Sequence, residues 1–247
     1  MKTELENEIL NRYSVIEEKN KREIVLLRGK GCSWRKCRFC DYHLDFSTNQ
    51  EENDALNAIE LEKVTGIYQK LEVINSGSFV DLSEETMNLI AHICTQKEIK
   101  ELHFECHYSL REHVPALRKR FATLGIAIIV KIGVETFDSL FRESYLVKGI
   151  TTDKPEEIAI HFDECCLLQG IPGQTVSSMI QDIETGLTYF KRVCVNIMQA
   201  NGSFIKPDPS VISAFVNHVY PVYKDNIRVD ILLKNTAFGV GGVTTNE

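Results

Sequence analysis

The stretch of sequence that decides the fold is residues 24–43, IVLLRGKGCSWRKCRFCDYH, where a short apolar run leads into a loop with three cysteines. The run 24–27 contains no polar residue, which is typical of a strand covered on both faces and therefore of a parallel sheet. Cys32, Cys37 and Cys40 follow it. In parallel α/β barrels the loops after the strands carry the functional groups. We therefore expect these cysteines to lie at a functional site.

Away from this stretch, apolar runs alternate with segments of helical periodicity. Further strands are predicted at 71–74, 101–105, 126–134, 164–168, 193–198 and 227–233, and helical segments are predicted at 52–69, 110–123, 137–145, 154–160 and 176–190. The strand–helix alternation repeats about six times. Because the apolar runs are continuous, both faces of the sheet are predicted to be covered, as in a parallel α/β barrel or an open, barrel-like arc.

Composition bounds the number of domains and the class of protein. The chain has 247 residues, a net charge of -7 and 43% hydrophobic residues, which suits one domain. We expect residues 1–22 to form a charged N-terminal helical arm and residues 23–247 to form the barrel. No membrane-spanning run and no signal peptide are visible, so a cytoplasmic protein without membrane contact is expected. The acidic balance argues against a whole tRNA as the partner.

The spacing C-x4-C-x2-C of the cysteine loop, residues 32–40, indicates a metal centre. Three thiolates can hold three corners of a [4Fe–4S] cluster and leave one iron open for a ligand. A zinc site with His43 as the fourth ligand is one alternative, and buried thiols without a metal are another. The cluster is favoured because the loop follows a buried strand in a chain with an ample core. The remaining cysteines are predicted to be small buried hydrophobes.

The cysteine loop resembles the cluster motif of the radical S-adenosylmethionine (SAM) enzymes, including the aromatic Phe39 before the last cysteine. Those enzymes usually have C-x3-C-x2-C, so the extra residue between the first two cysteines is a departure that leaves the path of the loop open. Three further segments resemble SAM-binding motifs of the family. Residues 75–78 resemble the segment that faces the methionyl amino group, 133–136 the ribose-binding segment, and 169–174 the segment near the adenine.

This resemblance implies a fold, two cofactors and a set of contacts. The fold is a partial (β/α)6 barrel of the radical SAM type, and the cofactors are a [4Fe–4S] cluster on the three cysteines and SAM at its open iron. One electron from the cluster would split SAM into a 5′-deoxyadenosyl radical that abstracts hydrogen from the substrate. The residues expected to contact the cofactors are Phe39, Tyr42, Ser76, Gly77, Ser78, Glu135, Arg142, Gly170 and Ile171. Glu135 is expected at the ribose diol and Arg142 at the methionyl carboxylate, with a helix-start carboxylate and a surface salt bridge as their ordinary alternatives.

A closer similarity is to the bacterial queuine lyases of queuosine salvage, and it is carried by residues 31–43, 75–79 and 233–241. It implies a lyase that cleaves the N-glycosidic bond of queuosine 5′-phosphate and releases queuine, with Glu105 as a catalytic candidate. The expected substrate contacts are Tyr42, His43, Asp45, Phe79, Glu105, His107, Asn196, Asn201 and Asp230, and the candidate phosphate contacts are Lys148, Lys206 and Lys234. For each of these residues an ordinary structural role is the alternative.

Two other functions stay open on the sequence alone. One is a radical SAM enzyme that acts on another nucleoside or on a tRNA modification, and the other is a non-catalytic zinc-binding protein. Metal analysis distinguishes these possibilities: iron with inorganic sulfide indicates a radical SAM enzyme, and stoichiometric zinc indicates the zinc-binding protein. The expected partners are a small-molecule nucleotide and a flavodoxin- or ferredoxin-type electron donor, which would dock on the basic residues Arg35, Lys36 and Arg38.

Overall fold

The computed structural model describes residues 10–235 and 242–243, with side chains for 10–234. Its centre is an eight-stranded sheet whose strands follow chain order from one edge to the other. The strands are β1 (Tyr13–Ile16), β2 (Arg22–Leu27), β3 (Lys70–Asn75), β4 (Glu101–Glu105), β5 (Ala127–Glu135), β6 (Glu164–Gln169), β7 (Arg192–Ile197) and β8 (Val229–Leu232). β1 is antiparallel to β2, and β2 to β8 are parallel. β9 (Lys234–Asn235) and β10 (Gly242–Val243) form a small antiparallel pair.

Helices fill the crossovers between consecutive parallel strands. They are α1 (Gln50–Leu61), α2 (Glu84–Gln96), α3 (Val114–Ala122), α4 (Pro155–Ala159), α5 (Val176–Tyr189), α6 (Pro209–Ala214) and α7 (Tyr220–Tyr223). Within the described residues, six strand–helix units from β2 onward are followed by β8, so the partial (β/α)6 barrel is confirmed. No helix within residues 10–235 and 242–243 combines the length and the apolar composition needed to cross a bilayer.

The two faces of the curved sheet differ in their surroundings. On β2, Val25 and Leu27 belong to the main hydrophobic core, whereas Ile24 and Leu26 pack in a separate cluster on the other face. This alternation follows from the two-residue period of a strand. The convex face therefore packs against the helices, and the concave face lines the barrel interior. Both faces of β2 are fully buried, as its continuous apolar run predicted.

The N-terminal segment differs from the expected helical arm. Residues 13–16 form β1, and residues 1–9 lie outside the described residues. The Tyr13 hydroxyl donates to the Glu23 carboxylate at 2.6 Å, and Leu26 N donates to the Arg12 carbonyl at 2.7 Å. The helix prediction is wrong for residues 13–16, because the free edge of a sheet presents unpaired N–H and C=O groups that a flanking segment can satisfy.

The first predicted helix is also shorter than its periodicity indicated. α1 ends at Leu61 rather than near residue 69. The backbone N–H groups of Thr65 and Gly66 donate instead to the buried Glu23 carboxylate, at 2.6 and 2.7 Å. Gly66 has a φ of 80°, a left-handed conformation that ends helical geometry. A buried acceptor on β2 therefore overrides the local helical pattern.

Candidate active site

A cavity of about 610 Å³ lies at the carboxyl-terminal ends of the parallel strands, against the cysteine loop. The predicted site residues that line it are Cys32, Cys37, Phe39, Cys40, Tyr42, His43, Ser76, Gly77, Glu105, His107, Glu135, Asn196 and Asn201. Arg35 and Lys148 line it as well. This edge is where parallel α/β folds bind their ligands, so the cavity is the candidate active site.

Hydrogen bonds to backbone carbonyls fix the path of the cysteine loop. Arg35 has a φ of 48°, and its Nε donates to the Cys32 carbonyl at 2.7 Å. Arg38 N donates to the Leu146 carbonyl at 3.0 Å, which ties the loop to the segment after β5. Gly77 permits the close approach of β3, because a Cβ at that position would lie 3.1 Å from the Cys32 backbone. The longer cysteine spacing is therefore accommodated in a loop with defined contacts.

The three thiols of the cysteine loop are half-buried and line the cavity. Burial raises the pKa of Cys40 to about 12. Burial also raises the pKa of Cys37, whereas the Lys148 ammonium acts to lower it and so favours the thiolate, which is the ligating form. Among the described residues, no three His, Cys, Asp or Glu side chains surround a single ion position. That result does not distinguish zinc from iron, but three half-buried thiols on one loop are the donor set of a [4Fe–4S] cluster with one open iron.

Glu135 stands at the end of β5 in an unusual backbone conformation. A register shift between Gly133 and Glu135 marks a β-bulge, and Glu135 has a φ of 69°; bulges of this kind redirect a side chain. The Glu135 carboxylate accepts from the Lys148 ammonium at 2.7 Å. Burial acts to lower the pKa of Lys148, but the charges of Glu135 and Cys37 outweigh it and the pKa is raised. Lys148, predicted as a phosphate contact, is therefore the ion-pair partner of Glu135.

Glu105 stands at the end of β4 and faces the same cavity. Its carboxylate forms no hydrogen bond to any of the residues whose side chains are described. Burial raises the pKa of Glu105, the Lys131 ammonium opposes that rise, and the Glu72 carboxylate adds to it. A desolvated carboxylate that faces a cavity is typical of a group that binds or reacts with a ligand.

His107 lines the cavity, but both of its ring nitrogens already have partners. Nδ1 lies 2.8 Å from Ser109 Oγ, and Nε2 lies 2.8 Å from the Lys148 carbonyl oxygen. Burial and the Lys148 charge lower the pKa of His107 to about 4, so the ring is neutral at pH 7. The ring also stacks on Trp34 with a centroid distance of 5.4 Å. The polar atoms expected to contact the substrate are therefore used in internal contacts.

Arg142 does not face the cavity, and its predicted contact with the methionyl carboxylate is wrong. The side chain is fully buried and lies at the start of a π-helical turn, Phe141–Leu146. It donates to the carbonyls of Thr136 at 3.3 Å and Thr152 at 2.5 Å, and it pairs with Glu143 at 2.9 Å. Arg142 therefore stabilises the loop that follows β5.

Ser78 and Phe79 also point away from the cavity. Ser78 Oγ accepts the N–H of His107 at 2.9 Å. Phe79 is 7% exposed and packs in the main core, with its ring centroid 5.9 Å from that of Phe104. The chain enters a short 3-10 helical turn at Phe79–Asp81 directly after Ser78, and that turn directs both side chains inward. The predicted contacts of Ser78 with SAM and of Phe79 with the substrate base are therefore wrong.

Two predicted carboxylates are held in ion pairs and are not part of the cavity lining, although Asp45 also accepts from Ser76 Oγ at 3.3 Å. Asp45 accepts two hydrogen bonds from the Arg12 guanidinium, at 2.6 and 3.1 Å. Asp230 accepts from Arg192 at 3.0 Å. Neither residue lines the cavity, so their predicted substrate contacts are not supported by the geometry.

The segment predicted to lie near the adenine, residues 169–174, packs against the cysteine loop. Ile171 is fully buried in a small apolar cluster with Phe39. Gly170 has a φ of 89°, and a Cβ there would lie 2.7 Å from the Ile212 side chain. Asn201, which does line the cavity, donates from Nδ2 to the Phe39 carbonyl at 3.0 Å. Ile171 and Asn201 therefore support the wall that carries Phe39, whereas Gly170 packs closely against Ile212.

Of the remaining predictions, the two other lysines lie on the surface. Lys206 is exposed, and its ammonium donates to the Asn201 carbonyl at 2.5 Å. Lys234 is exposed as well. Of the late segment 233–241, residues 236–241 lie outside the described residues. A contribution of this segment to the site therefore stays a prediction.

Comparisons with known proteins identify the family. No protein-family model matches the chain, and no curated protein matches it. The structure is similar to that of a queuine lyase from Clostridium spiroforme bound to SAM and queuine, with 45% sequence identity and a TM-score of 0.88. The match covers 94% of this chain and 99% of that chain. The chain belongs to the queuine lyase family.

Two structures of Streptococcus suis SuiB share the fold of this queuine lyase family member, and one of them is bound to S-adenosylmethionine. Their sequence identities are 12% and 14%, and the TM-score is 0.52 for both. The matches cover 83% and 84% of this chain but only 48% and 46% of the SuiB chains. At this identity the likeness shows the fold alone.

Membership in the queuine lyase family confirms that this chain is a radical SAM enzyme, as the cysteine loop and the strand-end segments predicted. The family implies a [4Fe–4S] cluster, and Cys32, Cys37 and Cys40 fit one. Sequence reasoning missed the structural role of Trp34 and the pairing of Lys148 with Glu135. For Trp34 a signal existed, because the only tryptophan of the chain lies between the two cysteines whose spacing is enlarged.

Proposed function

We propose that this protein cleaves the N-glycosidic bond of queuosine 5′-phosphate in a SAM-dependent radical reaction and releases queuine. The observation that carries the proposal is the 45% identity, over 94% of the chain, to a queuine lyase solved with SAM and queuine. The cavity supports it, because three thiols, the Glu135–Lys148 pair and the Glu105 carboxylate meet around about 610 Å³. Small-molecule ligands occupy cavities of roughly 300–1,000 Å³.

The cysteine loop and the ends of β3 and β5 would hold the cofactors. Cys32, Cys37 and Cys40 would hold a [4Fe–4S] cluster and leave one position open to SAM. Bound together, the two cofactors would supply hydrogen-abstraction chemistry at the substrate ribose, with the electron coming from the cluster and methionine released from SAM. The side chains position the reactants. Ser76 and Gly77 line the cavity and would face the methionyl amino group, and the Glu135 carboxylate would accept from the ribose hydroxyls.

Glu105 is the residue that we propose for recognition of the base. A guanine-like edge presents an N–H and an exocyclic amine, which both donate, and a carboxylate accepts from two donors at once. Burial raises the pKa of the neighbouring Tyr42, and Cys40 and Glu105 add to that rise, so the Tyr42 hydroxyl keeps its proton and can donate. His43 and Asn196 complete the polar lining. A fragmenting substrate radical needs no activated water, unlike ordinary glycoside hydrolysis.

An acidic electron donor of the flavodoxin or ferredoxin type fits the outer surface of the cysteine loop. Arg35, Lys36 and Arg38 are exposed there, and the Arg38 guanidinium lies 6.0 Å from the ring centroid of Phe204, which is 79% exposed. Basic residues around an apolar side chain attract and seat an acidic protein. Reduction by the donor should slow as salt is raised; a rate that is independent of salt would count against this surface.

The same proposal sets the expected surroundings of the enzyme. The net charge of -7 disfavours a whole tRNA as substrate. All eight cysteines lie among the described residues and none is in a disulfide, and unpaired cysteines persist in a reducing compartment. We therefore propose the cytoplasm as the location of the protein.

The test uses anaerobically purified protein with a reconstituted cluster, SAM, a reductant and queuosine 5′-phosphate. Mass spectrometry follows 5′-deoxyadenosine and free queuine, and both are expected to rise together. 5′-Deoxyadenosine without queuine would keep the radical chemistry and point to another nucleoside. Neither product, from protein with a full complement of iron and sulfide, would overturn the proposal.

The source of the abstracted hydrogen separates a radical lyase from other routes. Substrate deuterated on the ribose should transfer deuterium into 5′-deoxyadenosine, because the hydrogen atom is expected to come from the sugar. Deuterium that enters only from solvent would contradict this step while leaving queuine release itself intact.

A further inference from the structure

The extra residue in the cysteine loop has a structural counterpart in Trp34, which does not line the cavity although its neighbours in the loop do. Its indole Nε1 donates to the Val147 carbonyl at 2.8 Å. Its ring is stacked on His107 at 5.4 Å, with 20° between the ring planes. A Cβ built on Gly149 would lie 2.3 Å from Trp34 Cζ2, so the ring rests directly on that glycine. We name the contacts of Trp34 with His107, Val147 and Gly149 the clasp.

His107 connects the clasp to a second strand end. Ser109 N donates to His107 Nδ1 at 3.3 Å, so the ring proton is on Nε2, which donates to the Lys148 carbonyl at 2.8 Å. His107 N donates to Ser78 Oγ at 2.9 Å. The clasp therefore joins the loops that follow β2, β3, β4 and β5.

The segment gripped by the clasp, residues 146–150, is also fixed from its other side. The Glu143 carboxylate accepts from Gly149 N at 2.7 Å and from Ile150 N at 3.1 Å. Val147 and Gly149 have φ values of 57° and 80°, so left-handed residues flank Lys148 on both sides. With its backbone held in this way, Lys148 directs its ammonium to Glu135 at 2.7 Å.

We propose that Trp34 is a positioning residue for SAM: the clasp holds segment 146–150 so that Lys148 fixes the Glu135 carboxylate at the ribose-binding position. The proposal rests on the proposed function, which puts the SAM ribose at Glu135. The enlarged cysteine spacing gives the loop the extra residue with which Trp34 reaches across to Val147 and Gly149. A residue that orients a ligand-binding group through its neighbours typically affects binding by about 10- to 100-fold when it is lost. The clasp should therefore govern the affinity for SAM and not the assembly of the cluster.

A pair of glycine variants tests the clasp from the side opposite Trp34. Gly149→Ala adds a methyl group where the Trp34 ring lies, at a residue with a φ of 80°. Gly125→Ala is the matched control, because Gly125 has a φ of 71° and no atom within 4 Å of an added Cβ. Both variants carry the strain of a left-handed alanine, but only the first displaces the indole. The cluster-loaded Gly149→Ala protein should bind SAM about tenfold more weakly than the control, with equal iron and sulfide content.

Variants of Trp34 test the same contacts directly. Trp34→Phe keeps a ring for His107 but removes the hydrogen bond to Val147, and Trp34→Ala removes both. The dissociation constant for SAM, measured by equilibrium dialysis, should rise from wild type to Trp34→Phe to Trp34→Ala. In the double variant Trp34→Ala, Gly149→Ala the glycine substitution should add no further loss, because the ring that it displaces is gone. Such non-additivity is the signature of two residues that act through one contact.

Fluorescence makes each outcome decisive, because Trp34 is the only tryptophan in the chain. A shifted emission of Gly149→Ala, relative to Gly125→Ala, reports that the ring has moved. A moved ring with unchanged SAM affinity would overturn the proposal, and so would loss of the cluster in Trp34→Phe at unchanged thermal stability. Absence of queuine release by the wild type would contradict the proposed function without affecting this comparison, since SAM binding is measured without substrate.

Discussion

Two carboxylates on the concave face of the same sheet, Glu72 and Glu105, behave in opposite ways. Glu72 lies on β3, toward the amino-terminal end of the barrel, where it pairs with Arg22 and Lys131. Burial acts to raise its pKa, but the Lys131 and Arg22 charges outweigh it and the pKa is lowered. Glu105 lies at the cavity end without a hydrogen bond to any of the described side chains, and burial raises its pKa. The same residue type is therefore structural at one end of the barrel and available to a ligand at the other.

The difference between the two ends extends across the sheet. Each parallel strand contributes one charged or titratable residue to a layer inside the barrel, and these are Arg22, Glu72, His103, Lys131, Glu164, Arg192 and Asp230. Lys131 pairs with Glu72 and is also in register with Glu105, so it lies where this layer meets the cavity. Ion pairs join them, for example Arg192 with Asp230 at 3.0 Å. Buried charges that are mutually paired fix one arrangement of the fold, whereas desolvated groups without a partner mark a site. The paired charges therefore have a structural role, whereas Glu105, which feels the Lys131 charge without a hydrogen bond to it, stays available to a ligand in the cavity.

The largest expected effect is at the cavity end, where Cys37→Ala should abolish cluster binding and with it SAM cleavage. Two thiolates in place of three leave an iron without its protein ligand. Iron and sulfide content, together with the electron paramagnetic resonance spectrum of the reduced protein, measures the loss. Cys94→Ala is the control, because Cys94 is fully buried in the helix-covered core. If Cys94→Ala also lost the cluster, the loss would reflect misfolding in both variants. The experiment would then not distinguish the cavity end from the core.

At the other end, Lys131→Met should destabilise the fold strongly. It leaves the Glu72 carboxylate buried with Arg22 alone, and breaking a buried ion pair costs about 3–5 kcal/mol. Urea unfolding of the cluster-free protein measures this cost. The double variant Glu72→Gln, Lys131→Met should recover part of the loss, and Lys154→Met, in an exposed pair with Glu157, should leave the urea midpoint unchanged. Equal shifts in Lys131→Met and Lys154→Met would refute the assignment of a structural role to the buried layer.

Glu105→Gln should have the reverse pattern, with turnover lost and the fold retained. Gln keeps the shape of the side chain but offers one acceptor, so we expect kcat/KM for queuosine 5′-phosphate to fall by about 10- to 100-fold, the value of a hydrogen bond to a charged group. SAM affinity should stay unchanged, because Glu135 and the thiols are intact. If full turnover persisted, Glu105 would be removed from the substrate contacts.

The sequence predicted the parallel strands and the cavity residues at their ends because both depend on local pattern. The apolar run 24–27 must be buried on both faces, which is typical of a parallel strand. Glu105 ends one predicted strand, and Glu135 directly follows another. Residues just beyond a strand were less predictable. Phe79 and Arg142 are both near strand ends, but one short turn sends each of them into the interior. Spacing gives the position of a residue along the chain, whereas the direction of its side chain depends on contacts with other loops.

Pairing partners in space were beyond the reach of the sequence for a related reason. Lys148 follows Glu135 by thirteen residues, and a turn with two positive φ values brings the two together. β1 was missed because the charged N-terminal segment was interpreted as one helical arm, whereas the edge of β2 and the strand-prone residues Tyr13, Val15 and Ile16 favour pairing. Long-range contacts also decide that Asp45 and Asp230 pair with arginines instead of facing the cavity.

The smallest expected effect is a difference in the pH dependence of stability between the two carboxylates. The pKa of Glu105 is raised in the folded protein, so its contribution to stability is present at low pH and is lost as the pH rises through the folded pKa. The pKa of Glu72 is lowered, so its contribution is present above the unfolded pKa and is lost as the pH falls through the folded one.

Thermal midpoints of Glu105→Gln and Glu72→Gln, each measured relative to wild type at pH 5 and pH 8, test these signs. Glu105→Gln should gain on the wild type as the pH is raised, because only the wild type loses stability as the pH rises above the ordinary pKa of a glutamate. Glu72→Gln should be destabilised at both pH values, since the pairing of Glu72 with Lys131 and Arg22 is retained throughout that range. Parallel pH responses of the two variants would mean that the two carboxylates experience the same field, and the division of the barrel into a structural and a functional end would fail.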